Sequence, residues 1–327
     1  MTGRRHGTML ALCVLATLAA PALAQTQKRT PPPPPPAPSA AANPDNGNAD
    51  IAYGAFQRGM FLTALAEASK RAQQNDPAAM TLLGELYAQG LGVPRDDAKA
   101  ANWYKQAAAH GDRDAMFALA MFNLEGRAGP RNPDEAARLL AAAAKLGHAA
   151  AAYDLGLLYL QGQQFPQDFA RAAQLFRQAS DAGNADAQYA LAAMYKEGRG
   201  VPKDLNEAER LMGLASVAGN VDAMVEYAIA QFNGSGVAKN EVAAAKLMLI
   251  AARRGSAIAQ DRMARILMAG RGMPTDATEA VKWHIIAKAG GDSDPDLDAF
   301  AAQQTQQVRD AAEKAAKIWM STLPPRP

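Results

Sequence analysis

Cysteine is nearly absent from this chain of 327 residues: there is one, Cys13. It lies inside an N-terminal leader, so the processed chain is read as having no thiol, no disulfide and no thiolate metal site. Aromatic residues make up only 6% of the sequence, too few to fill a core by rings. Charge of one sign is lacking too. Lys and Arg number 34 against 32 Asp and Glu. Losing Arg4 and Arg5 with the leader leaves 32 of each sign, which excludes the concentrated positive field that nucleic acid or an anionic membrane requires. The one long apolar run, Met9 to Ala20, is too short to span a bilayer as a helix.

That run has the form of a secretory signal. Arg4 and Arg5 supply the charged region, and Ala22-Leu23-Ala24 is a small-residue cleavage site, so the mature chain is expected to begin at Gln25. Leu10-Ala11-Leu12-Cys13 departs from a lipoprotein box at Leu12, and His6-Gly7 does not continue a twin-arginine motif. Export through a cleaved leader places the protein in the periplasm. Residues 25–50 read as a linker. Pro31 to Pro36 is an unbroken proline run, expected to form polyproline II at about 3.1 Å per residue, either as a passive spacer or as a ligand for a proline-binding groove.

What the chain has is a period. Gly90, Gly126, Gly162, Gly198, Gly234 and Gly270 are 36 residues apart, and Gly111, Gly147, Gly183, Gly219, Gly255 and Gly291 keep the same step. The alanine column Ala79, Ala115, Ala151, Ala187, Ala223 and Ala259 follows it. Six units fill residues 76–291 with no insertion. A period of this size marks stacked supersecondary units, each unable to bury its own apolar face.

The first unit reads as a helix pair. Pro77 suits a first helical turn, and Ala79, Met80, Leu83, Leu86 and Tyr87 recur at helical spacing. Gly90 to Pro94 stops the helix. Asp96 or Asp97 caps a second helix with Ala100, Trp103, Tyr104 and Ala107 on its apolar face. Gly84, Ala120, Gly156, Ala192, Ala228 and Ala264 form a column of small residues where helices cross closely. Trp103, Leu139, Leu175, Leu211, Leu247 and Trp283 are the large residues set between them.

Ala79, Leu83, Gly84, Tyr87, Gly90, Gly92, Val93 and Asp96, then Ala100, Trp103, Ala107, Ala108 and Gly111, give a pattern that resembles the Sel-like repeat subclass of tetratricopeptide repeats. Residues 187–219 and 259–291 match it as well. The third unit departs at Gln163-Gln164-Phe165-Pro166, and the second at Arg127-Ala128-Gly129. The resemblance implies an all-α fold, a right-handed superhelical α-solenoid of stacked antiparallel helix pairs. Residues 51–75 resemble a plain tetratricopeptide pair, and residues 292–323 read as a C-terminal helical cap ahead of a short tail.

In such arrays the first helix of each pair lines the concave face. Carried onto this chain, that frame turns Phe117, Met121, Leu124, Tyr153, Leu157, Leu160, Tyr189, Val225, Ile229 and Phe232 toward a groove. An apolar stripe over four units suits a docked peptide or helix. The resemblance implies an exported, non-enzymatic scaffold or adaptor for an envelope protein, regulatory in some relatives. The alternatives are a peptidoglycan or glycan binder and a cell-wall or β-lactam hydrolase.

Catalytic and metal signals are weak. Gly198-Arg199-Gly200 follows a helix, whereas a phosphate-binding glycine loop follows a strand. Asp292, Asp294, Asp296 and Asp298 alternate like a calcium loop, but Leu297 and Gln303 stand where it needs glycine and glutamate, so a helix N-terminus is the better account. His110, His148 and His284 share no ligand spacing, and no nucleophile pairs with them. No cofactor or metal is expected.

Overall fold

The computed structural model describes residues 51–162 and 165–322. The leader, the proline-rich segment, Gln163-Gln164 and the final tail, for which a signal, a linker and an altered loop are expected, lie outside the described residues. Those residues form helices and, among them, no strand. A short pair, α1 (Ile51–Gln57) and α2 (Phe61–Ala72), precedes the array. The first helices of the six units are α3 (Pro77–Gln89), α5 (Arg113–Glu125), α7 (Ala149–Gln161), α9 (Ala185–Glu197), α11 (Val221–Asn233) and α13 (Ala257–Ala269). The second helices are α4 (Asp97–Ala109), α6 (Pro133–Lys145), α8 (Phe169–Asp181), α10 (Leu205–Val217), α12 (Glu241–Arg253) and α14 (Ala277–Ala289). Every one of the twelve has 13 residues. Two further helices, α15 (Pro295–Gln303) and α16 (Gln306–Ser321), close the chain.

The uniform length comes from local signals at both ends. Each first helix is capped by a side chain: Asp76, Asp112, His148, Asn184, Asn220 and Ser256 accept from backbone N–H groups of the first turn. Asp96, Asn132, Asp168, Asp204, Asn240 and Asp276 do this for the second helices. Such caps contribute about 1 kcal/mol each. Asp96, not Asp97, is thus the cap of α4. The first helices end on left-handed glycines with φ between 67° and 75°.

Tertiary order is that of an all-α solenoid. The two helices of a unit pack along their length, each second helix packs on the next first helix, and helices further apart hardly touch. The core is a continuous seam of alanine with Leu83, Leu86, Leu140, Leu191, Met248 and Met263 fully buried.

The small-residue column works as expected, but with a different partner. A Cβ on Gly84 would sit 2.4 Å from the Tyr104 ring, and one on Gly156 2.7 Å from the Phe176 ring. Trp103 is only half-buried. The ring that needs the glycine is therefore one residue beyond the column of large residues. Where the small residue is alanine, the same register carries Leu140, Met212, Met248 or His284. Small and large residues trade volume unit by unit.

The second glycine of the G-x-G loops is also a packing residue. Gly200 lies so close to the carbonyl of Phe169, the first residue of the preceding second helix, that no Cβ fits there. Its φ of +67° has the same requirement. Between these glycines, Arg127, Arg199 and Arg271 recur two units apart. Arg127 pairs with Asp97 at 2.6 Å, Arg271 pairs with Glu241 at 2.6 Å, and Arg199 lies over the Phe169 ring at 5.5 Å. Each ties a loop to the start of the preceding unit's second helix.

At the C-terminal end the order changes. The long helix α16, rather than α15, lies along α14. Ala312 and Ala316 are buried there, and Trp319 meets Trp283 edge to face at 5.7 Å. Thr305 caps α16 and Asp294 caps α15. The acids at Asp292 to Asp298 are thus a helix N-terminus. No described helix is long and apolar enough to cross a membrane.

Candidate partner-binding face

Fifth, ninth and twelfth positions of a helix fall on one stripe, because residues four and seven apart share a face. On the first helices this stripe carries Thr81, Glu85 and Ala88; then Phe117, Met121 and Leu124; then Tyr153, Leu157 and Leu160. It continues with Tyr189, Ala193 and Lys196; with Val225, Ile229 and Phe232; and ends on Asp261, Arg265 and Met268. Units two, three and five are apolar at all three positions.

Nine of the ten side chains assigned to the groove are half-buried: Phe117, Met121, Leu124, Tyr153, Leu157, Leu160, Tyr189, Ile229 and Phe232. They pack at the edge of the core and keep part of their surface open. Val225 departs from the expectation. It is 6% exposed and belongs to the core with Met224 and Ala228. Its short branched side chain does not reach out of the seam between helices as a ring at the same position does.

The rings at the fifth position have a second task, since they connect units. Phe117 stacks on His148, the cap of the next first helix, with centroids 4.5 Å apart and planes at 23°. His148 Nδ1 accepts from Ala151 N–H at 3.0 Å, and its Nε2 lies 3.4 Å from Asp114. Burial, and then the nearby Arg113 guanidinium, pulls the imidazole down to about 4, so the ring is neutral near pH 7. Tyr153 lies against Phe176 at 5.6 Å. The Tyr189 hydroxyl donates to Glu226 at 2.8 Å, and Lys196 donates to the same carboxylate at 3.1 Å. Burial, then Glu226, pushes that phenol well above its usual range. Arg271 lies over the Phe232 ring at 5.5 Å.

In the last unit the stripe is closed by charge. Arg265 pairs with Asp261 at 3.7 Å, with Asp296 at 3.5 Å and with the buried Asp294. Burial, then Asp294 and Asp292, raises the Asp261 carboxyl. Asp294 is held low in spite of its burial by the N–H groups of Asp296 and Leu297 and by Arg265. The inner face of this unit is therefore occupied by the chain's own cap.

The structure does not bring the histidines together. His110 ends α4, His148 caps α7, and His284 is buried on α14 with Nε2 2.8 Å from Asp298. Among the described residues no three His, Cys, Asp or Glu side chains could hold a metal ion. The roles of His148 and Glu226 were not read from the sequence. A signal for the first exists: His148 stands in the column Asp76, Asp112, Asn184, Asn220 and Ser256, all capping residues.

Six consecutive segments, residues 77–112, 113–148, 149–184, 185–220, 221–256 and 257–292, match the Sel1 repeat family model. Among solved structures, a Sel1 repeat protein from Oxalobacter formigenes is 27% identical, with a TM-score of 0.68 over 74% of this chain and 100% of that one. A protective antigen of uropathogenic Escherichia coli strains, displaying an SLR fold, is 24% identical, with a TM-score of 0.52 over 80% of this chain and 64% of that one. The second likeness bears on the fold alone. No curated protein matches the chain.

Proposed function

This chain belongs to the Sel1 repeat family, and from that premise we propose that it is a non-enzymatic docking scaffold that holds a partner protein along its first-helix face. Sel1-type repeats build protein-interaction scaffolds. The finer reading rests on one observation: nine apolar side chains of one stripe, spread over units two to five, remain half-open to solvent. Packing alone needs only Leu, Ala and Met on the seam. Half-open rings and branched chains on a continuous line are what a partner helix or peptide covers.

We further propose that the protein is exported and that its partner is an envelope protein, from the leader read at Arg4 to Ala24. N-terminal sequencing of the protein recovered from the periplasmic fraction is expected to begin at Gln25. Retention of Met1 with the cytoplasmic fraction would remove the envelope partner.

Docking is tested by crosslinking in cells that make the full chain, beside a Met121→Asp/Leu157→Asp/Ile229→Asp variant that keeps its helical circular dichroism. One crosslinked partner captured by the wild type and lost from the variant is the expected outcome. Equal capture by both proteins would exclude this stripe as the docking surface.

A further inference from the structure

The first helices and the second helices differ in charge. The six first helices carry nine acidic and four basic residues, and the six second helices carry eight acidic and eleven basic residues. A chain that is almost balanced overall has thus sorted its charge between two faces. Two of the four bases, Arg262 and Arg265, belong to the last unit, where Arg265 is engaged by Asp261 and the cap. Of the others, Lys196 is taken by Glu226, and Arg113 donates to the carbonyls of Leu146 and Gly147. The first five units therefore offer acid beside the apolar stripe with little free base to balance it.

The acids are placed to touch whatever lies there. Asp186 precedes Tyr189 by three residues and Asp222 precedes Glu226 by four, so each sits one helical turn from the stripe on the same face. Asp222 is exposed, and among the described residues no cation lies within ion-pair distance of it or of Asp186. Burial, then Glu226 and Asp186, raises the Asp222 carboxyl, as expected where like charges crowd. Glu209 on α10 lies in the same field, and its buried Oε2 has no hydrogen-bond partner. An apolar line edged with uncompensated carboxylates complements an apolar helix edged with Lys or Arg, and repels acidic helices and anionic lipid.

We propose that the occupant of the first-helix stripe is a cationic amphipathic helix of a partner protein. This rests on the docking reading above and adds the partner's chemistry to it. Two synthetic peptides of about 18 residues, about 27 Å long as helices, serve as probes. They share one leucine pattern, and their polar face is all Lys in one and all Glu in the other. Binding to the full chain is read by fluorescence anisotropy. The Leu/Lys peptide is expected to bind at least about tenfold more tightly than the Leu/Glu peptide, about 1.4 kcal/mol. That preference is expected to shrink several-fold in Asp186→Asn/Asp222→Asn, and on raising the salt from about 0.05 to about 0.5 M.

Leu157→Asp separates docking from mere attraction. It adds a negative charge, so non-specific adhesion of the Leu/Lys peptide would be unchanged or stronger, whereas seating on the stripe is expected to be lost. Equal affinity of both peptides, with both lost in Leu157→Asp, overturns the charge preference and leaves the docking stripe standing. Leu/Lys binding unaffected by Leu157→Asp, or no binding at all, overturns the proposal. If the crosslinking capture is also unchanged in its own variant, the docking reading falls with it.

Discussion

The third and the sixth units share backbone length, caps and stops, yet they use their surfaces in opposite ways. In the third, Gly156 admits the Phe176 ring, and Tyr153, Leu157 and Leu160 line the first helix with half-open apolar surface. In the sixth, Ala264 stands at the place of the glycine and the buried His284 at the place of the ring. Its stripe carries Asp261 and Arg265, tied to Asp294 and Asp296. The pair shows that seam positions are constrained by volume, while stripe positions vary with what each unit must face. The third faces solvent or a partner, and the sixth faces the end of its own chain.

Breaking the seam is expected to have the largest effect. Gly156→Ala places a Cβ 2.7 Å from the Phe176 ring and is expected to cost about 1–3 kcal/mol in thermal or urea unfolding. Phe176→Leu in the same chain should recover much of this, because Leu140 already occupies that register beside Ala120. Ala264→Gly, which relieves no clash, should cost only about 1 kcal/mol through helix propensity. A double mutant no more stable than Gly156→Ala alone would refute the volume trade.

The caps sharpen the comparison by pH. His148 caps the third unit's first helix and titrates at about 4, against 6.5 in an unfolded chain, whereas Ser256 caps the sixth and does not titrate. Between those values the unfolded chain binds the proton and the folded chain does not, so stability is full above pH 6.5 and falls as pH drops toward 4. From pH 6.5 to 5 the loss is about 2 kcal/mol at 1.36 kcal/mol per unit. Asp112 and Asp114 beside it, both raised by burial, work in the opposite sense at lower pH. His148→Asn keeps a cap and should flatten the unfolding midpoint over this window. An unchanged slope would assign it elsewhere.

Smaller effects belong to the two stripes. Arg265→Ala leaves Asp261 and the buried Asp294 facing each other and is expected to cost about 1–2 kcal/mol, with fraying of α15 and α16 seen by amide exchange. Leu157→Asp, at a half-buried position, should change stability by less than about 1 kcal/mol while removing partner binding. A large stability loss there would make the stripe of the third unit part of the seam.

Much of the array was legible because its signals are local. The C-cap glycines, the loop prolines and the Asp, Asn and Ser caps act within one turn of the residues that carry them. The stripe was legible as a direction, since residues four and seven apart share a face, and nine of its ten assigned side chains are half-buried. Val225 was not, because its burial depends on how far its neighbours across the seam extend. His148 was overlooked as a cap because a histidine in that role is seen only against the column it interrupts.

By itself the sequence determined the unit length, the helix boundaries and the stacking of pairs, since these follow from backbone stops and a 36-residue step. Only the tertiary structure decided that Tyr104 and not Trp103 fills the space beside Gly84, and that α16 and not α15 lies along α14. It also decided that the end unit closes its own face with Arg265. Adjacent helical positions point about 100° apart, so a helix's own period allows either of two neighbours to meet the next helix. The crossing angle and depth of packing choose between them, and those belong to the assembled array.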